Sequence, residues 1–437
     1  MFSELLEKFE KNITGLREFV DLINPMLDEY HNKEKEKHDD AFIPLALARQ
    51  IEFAETEDEK KKLKELLSRA FDGEIKVEET DISLEELPEG VESSEEKKFT
   101  FIVDGDMSKI RDAFEFQAKS NEQKNLLYVN SLISLLSSAE WFYSQLLHFF
   151  YDKNPSAAGI KKKTLTLEEL KSFGTVEDAE KYLIDSKIET LLRSSFSDWV
   201  DTLREELKLG LGYLKGFQNE LIEIYQRRNL FVHNGGVVNS IYLAKVETPQ
   251  FEINEKLEVD EEYLENAIDK IHVLFSLIAC ELWTKDNPSD EERADFLMHL
   301  SYSYLKANKW VVAEMPNIFL SNDGKQQTIP RSYAQLNCWL CKKRVGDQEA
   351  LFKELESIDY SDKTIIIQLA LAALKENEEE FFELLPRAIN SEELTVEYLF
   401  DFPILQEMRE SDKFIEFQNE NLKVKEYLTN NAQQTLE

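Results

Sequence analysis

The chain has 437 residues, of which 42% are hydrophobic and 32% charged, with only 13 glycines and 10 prolines, so we expect a mostly α-helical protein of two or three domains. Its formal net charge of −35 argues against a protein that coats nucleic acid indiscriminately, because such affinity comes largely from Lys and Arg displacing counterions. The three cysteines are too few for a disulfide framework and predict a reducing compartment.

The negative charge is unevenly distributed along the chain. Residues 1–105 carry about −14 and residues 286–437 about −13, whereas residues 106–250 hold 18 Lys and Arg against 20 Asp and Glu. The central segment is therefore compatible with a nucleic-acid substrate. Its acidic flanks predict weak non-specific RNA binding, so we expect a specific RNA or a partner that brings the RNA.

Residues 1–105 are predicted to form an acidic helical region with a small β-ribbon. Apolar residues recur at helical spacing from Phe2 to Leu22, and a charged loop is expected from Tyr30 to Asp40. The segments Glu74–Val77 and Phe99–Val103 resemble strands that pair antiparallel. The chain opens with an acidic amphipathic segment and not a basic, apolar one, which predicts a cytoplasmic protein without a signal segment.

A long helix is predicted from Asn125 to Asp152 and is apolar nearly all round. This pattern indicates burial at the centre of a bundle or at a dimer contact. Glu140 is the exception, because a carboxylate in an apolar helix is costly unless it is paired. Arg227 or Arg228 is the natural partner; the alternative is an exposed position at the helix edge.

A basic cluster follows in the loop from Asn154, at Lys161, Lys162 and Lys163. Such a cluster can hold the backbone phosphates of a nucleic acid, and three lysines also suit an ordinary solvated surface. Both interpretations stay open. Helices are then expected at Leu167–Phe173, Val176–Ile184, Lys187–Leu192 and Phe196–Leu207.

The most informative stretch is Ile224–Gly236, at the end of an amphipathic helix that begins near Gly212. Its Asn-Gly-Gly ending supplies left-handed capping residues. Arg228 and His233 are about 140° apart around an ideal helix and about 7.5 Å apart along it, whereas Asn229 and His233 share one face. A guanidinium grips phosphate and an imidazole transfers protons, so this stretch suits metal-free cleavage of a phosphodiester.

The run from Arg228 to His233 resembles the R-x4-6-H motif of the HEPN superfamily, helical RNA-cutting domains found in toxins and antiviral defence. The flanking sequence is similar to the RiboL-PSP-HEPN branch, from about Asp106 to Lys285. The segments that carry this similarity are Thr164–Leu170, Ile188–Leu192, Trp199, Asn234–Val238 and Tyr242–Leu243.

The resemblance implies a helical bundle over residues 106–286 that cuts RNA by 2′-hydroxyl attack, with no metal or cofactor. It assigns proton transfer to His233 and charge neutralisation of the phosphorane to Arg228, while Asn229 orients the phosphate or the histidine. Such domains commonly dimerise, which implies a C2 homodimer through the Asn125 helix and the motif helix. The supporting residues implied are Glu140 and Arg227, with Lys161, Lys162 and Lys163 as RNA contacts.

Residues 287–437 are predicted to form helical hairpins. The pairs Tyr333–Ile358 and Lys363–Ile389 resemble degenerate tetratricopeptide hairpins with a period near thirty. Hairpins of this kind offer concave surfaces to protein partners, so a protein trigger or inhibitor is expected to bind here. Cys338 and Cys341 lack further zinc ligands and are expected to be packed.

Several other interpretations are open. Arg228 could pair with an acid while His233 caps its own helix, in a non-catalytic adaptor that recruits protein partners through the C-terminal hairpins. A metal-dependent nuclease is a further option, although no Asp, Glu and His cluster with ligand spacing is visible in the sequence. His272 and His299 lie in apolar stretches and are expected in the core.

Overall fold

Most of the described chain is helical. A computed structural model describes residues 1–36, 56, 59–63, 65–66, 74–81, 97–104, 108–159, 164–247, 250–360 and 362–434. Within these ranges, no helix combines the length and the apolar character needed to cross a bilayer.

The helices up to the end of the predicted bundle are α1 (Phe2–Glu36), α2 (Ser108–Lys153), α3 (Leu167–Phe173), α4 (Val176–Leu192), α5 (Phe196–Glu205), α6 (Gln218–Asn234), α7 (Ser240–Lys245) and α8 (Glu261–Asp286). Those that follow are α9 (Glu291–Lys306), α10 (Trp310–Ser321), α11 (Thr328–Val345), α12 (Gln348–Glu356), α13 (Ile365–Leu374), α14 (Glu378–Asn390), α15 (Val396–Asp401), α16 (Gln406–Arg409), α17 (Asp412–Glu420) and α18 (Leu422–Gln434).

Two strands, β1 (Glu74–Asp81) and β2 (Lys97–Asp104), pair antiparallel. Glu74 lies opposite Asp104, and Asp81 lies opposite Lys97. Each strand is longer than the segment that alternation in the sequence predicts.

Helix α1 is longer than predicted and continues to Glu36, through the segment expected to begin a loop at Tyr30. Phe2 and Phe9 are buried, but Phe19 and Leu22 from the predicted apolar stripe are exposed. In this part of the helix the buried residue is Val20. The predicted stripe takes three successive three-residue steps from Ile13 to Leu22, each about 300° around the helix, and so drifts away from the buried face.

The first compact unit comprises Met1–Thr14, Leu132–Leu257 and Glu262–Glu437. Phe9 stacks on Phe142 of α2, with 4.2 Å between ring centroids. Phe2 stacks on Trp283 of α8 at 5.5 Å. Burying an aromatic ring contributes about 2–3 kcal/mol. The first turns of α1 therefore belong to the core of the bundle and not to a separate N-terminal region ending at residue 105.

A buried hydrogen bond crosses the boundary predicted at residue 286, because His272 of α8 is hydrogen-bonded to the Tyr304 hydroxyl of α9 at 2.9 Å. Just beyond that boundary, the fully buried Arg293 pairs with Asp323 at 2.8 Å and donates to the carbonyl oxygen of Asn287. The bundle and the C-terminal helices consequently form one compact unit.

The C-terminal helices repeat at a longer interval than predicted. A helix absent from the prediction, α10, packs between α9 and α11 despite Pro316 in its interior. The first helices of three successive pairs begin at Glu291, Thr328 and Ile365, an interval of 37 residues each time. The predicted period near thirty was too short, because it was measured from Tyr333 to Lys363 whereas the two helices begin at Thr328 and Ile365.

The second unit comprises Gly15–Ser131 and Glu258–Glu261. In it, the Tyr128 hydroxyl donates to the side-chain oxygen of Asn24 at 2.9 Å. The buried His31 is hydrogen-bonded to Gln123 at 2.9 Å. These contacts join the second half of α1 to the first half of α2.

Helix α4 is continuous where two helices were predicted, and Ile184 and Ile188 are buried one turn apart on it. Cys338 and Cys341 are buried on α11, and burial raises the pKa of the Cys338 thiol to about 12. His299 was expected in the core but is exposed.

Candidate active site

The motif helix α6 ends at a pair of glycines. Gly235 and Gly236 have φ values of 62° and 82°, and the N–H groups of both donate to the carbonyl oxygen of Leu230. A Cβ at Gly236 would lie 2.6 Å from the Phe231 ring, so a side chain is excluded there. The turn ends the helix just after His233 and leaves that side chain exposed in the last turn.

Backbone hydrogen bonds hold the segment that follows the glycines. The Val238 N–H donates to the Glu255 carbonyl at 2.8 Å, and the Leu257 N–H donates to the Gly236 carbonyl at 2.9 Å. Val238 and Leu257 pack against α6 in one apolar cluster. Asn239 then caps α7 by accepting two backbone N–H groups of its first turn. Helix α7 is thereby positioned beside the end of α6.

An open cavity of about 570 Å³ lies along this end of α6. Its walls come from α2, from the junction between α4 and α5, and from α6 and α7. Aromatic side chains form part of the lining, where Tyr225 stacks on Phe196 with 5.0 Å between ring centroids. The lining includes Glu140, Arg193, Ser194, Ser195, Phe196, Trp199, Tyr225, Arg228, Asn229, His233, Asn239, Ile241 and Lys245.

Arg228 is held in the cavity wall by Glu140. The two side chains are 17% and 30% exposed. The guanidinium donates to the Glu140 carboxylate and, at 3.3 Å, to the side-chain oxygen of Asn229. Burial lowers the pKa of Arg228, but an arginine stays charged at physiological pH. Of the two arginines considered as partners for Glu140, Arg228 is the one that it contacts.

Asn229 and His233 lie one turn apart on α6, and both line the cavity. Because the Asn229 oxygen accepts from Arg228, its amide N–H groups remain as donors. The imidazole of His233 is exposed at the mouth. The guanidinium of Arg228, the amide N–H groups of Asn229 and the imidazole of His233 therefore belong to residues that line the same cavity.

Arg227 does not line this cavity. Its side chain is buried, donates to Glu223 at 2.7 Å and lies over the Tyr263 ring at 4.1 Å. Glu223 also accepts hydrogen bonds from the hydroxyls of Tyr242 and Tyr263. Consecutive helical residues point about 100° apart, which places Arg227 in the core while Arg228 faces the cavity.

Two cations at the cavity were missed by the sequence reasoning. Arg193 follows the end of α4, and Lys245 ends α7. Both side chains line the cavity, and Arg193 also pairs with Glu189 one turn earlier. Neither residue has a local sequence signal, because packing of α4 and α7 around α6 brings them together. Lys161, Lys162 and Lys163 lie outside the described residues.

Comparison with protein-family models, curated proteins and solved structures found no match. The resemblance to HEPN domains consequently depends on the motif residues and their surroundings. In the described ranges, no three His, Cys, Asp or Glu side chains lie close enough together to share a metal ion.

Proposed function

We propose that the protein is a metal-independent endoribonuclease of the HEPN type. The observation that carries this proposal is the placement of Arg228, Asn229 and His233 on the wall of one open cavity. The rim cations Arg193 and Lys245 give this cavity positive charge within a strongly acidic protein. Such a combination favours a phosphate ligand.

The chemistry follows from these groups. The ribose 2′-oxygen attacks the adjacent phosphorus, a P–O2′ bond forms and the P–O5′ bond breaks, leaving a 2′,3′-cyclic phosphate and a 5′-hydroxyl. His233 transfers a proton, either from the 2′-hydroxyl or to the leaving 5′-oxygen. Arg228 neutralises the equatorial oxygens of the phosphorane, and Asn229 donates a hydrogen bond that orients the phosphate. Glu140 holds the guanidinium in position.

One motif supplies one base or one acid, and the reaction needs both. We therefore propose a C2 homodimer through α2 and α6, in which two motifs face each other. Exposed apolar residues on the elements around the cavity support such a contact, namely Trp141 on α2, Val232 on α6 and Ile241 on α7. Sedimentation velocity tests the dimer; a monomer that cleaves RNA at full rate contradicts it.

The acidic flanks restrict the RNA substrate. Segments with net charges of about −14 and −13 repel a phosphate backbone, so the proposed substrate is a specific RNA or one delivered by a partner. This restriction suits a cytoplasmic toxin or antiviral-defence effector whose activity is controlled by a protein trigger or inhibitor on the C-terminal helices.

Cleavage of RNA in EDTA by the purified chain tests the proposal. We expect His233→Ala to lower the rate at least ~100-fold, as loss of a general acid or base does. His148→Ala is the matched control, because His148 lies on α2 and does not line the cavity. Equal loss in both variants, or cleavage that needs a metal ion, contradicts the proposal.

The alternative function is a non-catalytic adaptor. The net charge of −35 favours it, because this charge opposes RNA binding. In an adaptor, His233→Ala leaves partner recruitment intact, because the C-terminal helices bind the partner. Partner binding without any cleavage of cellular RNA distinguishes this function from the nuclease.

A further inference from the structure

A second cavity, of about 390 Å³, lies among the C-terminal helices. It shares no lining residue with the cavity at α6. Helices α9, α11, α13 and α15 contribute to it, so it crosses the first helices of successive pairs. The lining is mainly apolar and aromatic, and the residues that matter here are Tyr302, Tyr333, Asn337, Glu393, Tyr398 and Phe402.

Asn337 at this cavity has a buried oxygen with no hydrogen-bond partner. The residue is 7% exposed. Its orientation is fixed through Asn317, whose amide N–H donates to the Ala313 carbonyl at 2.7 Å. A carbonyl oxygen can only accept, so the Asn317 oxygen must accept in turn from the Asn337 amide, at 3.3 Å. The Asn337 oxygen is therefore the acceptor left over.

Buried acceptors are nearly always satisfied in folded proteins. The nearby Tyr302 hydroxyl donates to Asp401, which also pairs with Lys306. A ligand that brings an N–H group would remove the cost of leaving this oxygen unpaired.

The rim of the cavity selects for positive charge. Glu393 and Tyr398 are exposed there. Burial raises the pKa of the Tyr333 hydroxyl in the same lining, and Glu393 and Tyr398 raise it further. Tyrosine faces attract ammonium and guanidinium groups. Residues 286–437 add a net charge of about −13, so an acidic ligand is disfavoured.

We propose that this groove binds a partner protein through a basic, extended peptide segment. A Lys or Arg side chain lies against Tyr333 and Tyr398 and points to Glu393, an N–H of the segment donates to Asn337, and neighbouring apolar side chains fill the remaining space. The groove is open at its rim and crosses four helices, which suits a chain that enters and leaves. This proposal does not depend on ribonuclease activity.

Selection of random linear peptides on the full-length protein tests this inference. We expect enriched sequences to place Lys or Arg beside apolar residues, and to bind reversibly in a fluorescence-polarisation assay. Enrichment of acidic sequences, or of none, overturns the proposal.

Three variants then locate the peptide. We expect Asn337→Leu, which keeps the branched shape of the side chain but removes both the acceptor and the N–H that pairs with Asn317, to weaken binding about tenfold. Glu393→Gln alters only an exposed carboxylate, and we expect it to weaken binding of the basic peptide and reduce its salt dependence. Glu397→Gln is the matched control, because Glu397 is exposed on α15 and does not line the groove. Equal affinity for wild type and Glu393→Gln overturns the proposal, even where Asn337→Leu fails to fold.

Discussion

The Arg228 guanidinium donates a hydrogen bond to Glu140, which lies 88 positions earlier in the chain on α2. This pair joins the helix that carries the motif to the central helix of the bundle. Both side chains are largely removed from solvent, so each restricts the position of the other. The remaining N–H groups of the guanidinium are then directed by the protein and not by the substrate.

Removing the carboxylate should therefore lower the stability of the fold. We expect Glu140→Gln, which keeps a neutral acceptor, to lower the free energy of unfolding by about 1 kcal/mol, and Glu140→Ala by about 2 kcal/mol, because it leaves a partly buried cation unpaired. Urea denaturation measures both changes. The exposed Glu168→Gln is the control, and a Glu140→Ala protein as stable as this control contradicts the role assigned to the pair.

Gly236 is required because its φ is positive and because the Phe231 ring leaves no room for a side chain. Gly236→Ala places a Cβ at positive φ and 2.6 Å from the Phe231 ring, so we expect a loss of about 2–4 kcal/mol in the free energy of unfolding. Gly216 has no neighbouring heavy atom within 4 Å of a built Cβ, and Gly216→Ala should change stability by less than about 0.5 kcal/mol. Equal denaturation midpoints for the two variants would show that the turn after His233 is not constrained.

Arg193 and Lys245 are expected to hold RNA phosphates beside the scissile bond. Arg193→Gln and Lys245→Gln should each weaken RNA binding and lower the slope of log affinity against log salt by about 0.7, the value for one phosphate contact on a single strand. Binding titrations at several salt concentrations, made with a cleavage-resistant RNA, measure this slope. Lys181→Gln is the control, since Lys181 is exposed on α4 away from the cavity. An unchanged slope in both cavity variants would show that neither residue contacts an RNA phosphate.

Glu314 provides a test of pH dependence. Burial raises the pKa of this carboxyl above its ordinary value of 4.5, and Lys342 partly opposes the change. The folded state therefore binds the proton more tightly than the unfolded state, and stability is lost as pH rises from 4.5 through the raised pKa. Glu314→Gln removes this loss, so its advantage over wild type should grow with pH to less than about 1 kcal/mol, since the side chain is only half buried. Thermal melts from pH 4 to pH 8 measure the difference, and an advantage that shrinks with rising pH contradicts the assignment.

Local chemistry made the end of the motif helix predictable from the sequence. Asn-Gly-Gly signals a left-handed stop, and Gly235 and Gly236 adopt it. The need of Glu140 for a partner was also predictable, because an unpaired carboxylate in an apolar helix is costly. The choice between Arg227 and Arg228 was not, because it depends on how α6 is rotated against α2.

Features that depend on tertiary packing were not predictable from the sequence. Arg193 and Lys245 reach the cavity only because α4 and α7 pack around α6. Helix α10 was not predicted, and it forms although Pro316 lies in its interior, where a proline ordinarily interrupts a helix. The exposed position of His299 follows from the groove that α9 shares with α11 and α13, which helical periodicity alone does not reveal.

The ends of the RNA fragments show directly whether His233 supports cleavage by 2′-hydroxyl attack. A labelled RNA is incubated with the purified protein in EDTA, and the fragment ends are identified by mass spectrometry. We expect 2′,3′-cyclic phosphate and 5′-hydroxyl ends with wild type and their absence with His233→Ala. Fragments with 3′-hydroxyl and 5′-phosphate ends, or the same cyclic ends from His233→Ala at an undiminished rate, would contradict it.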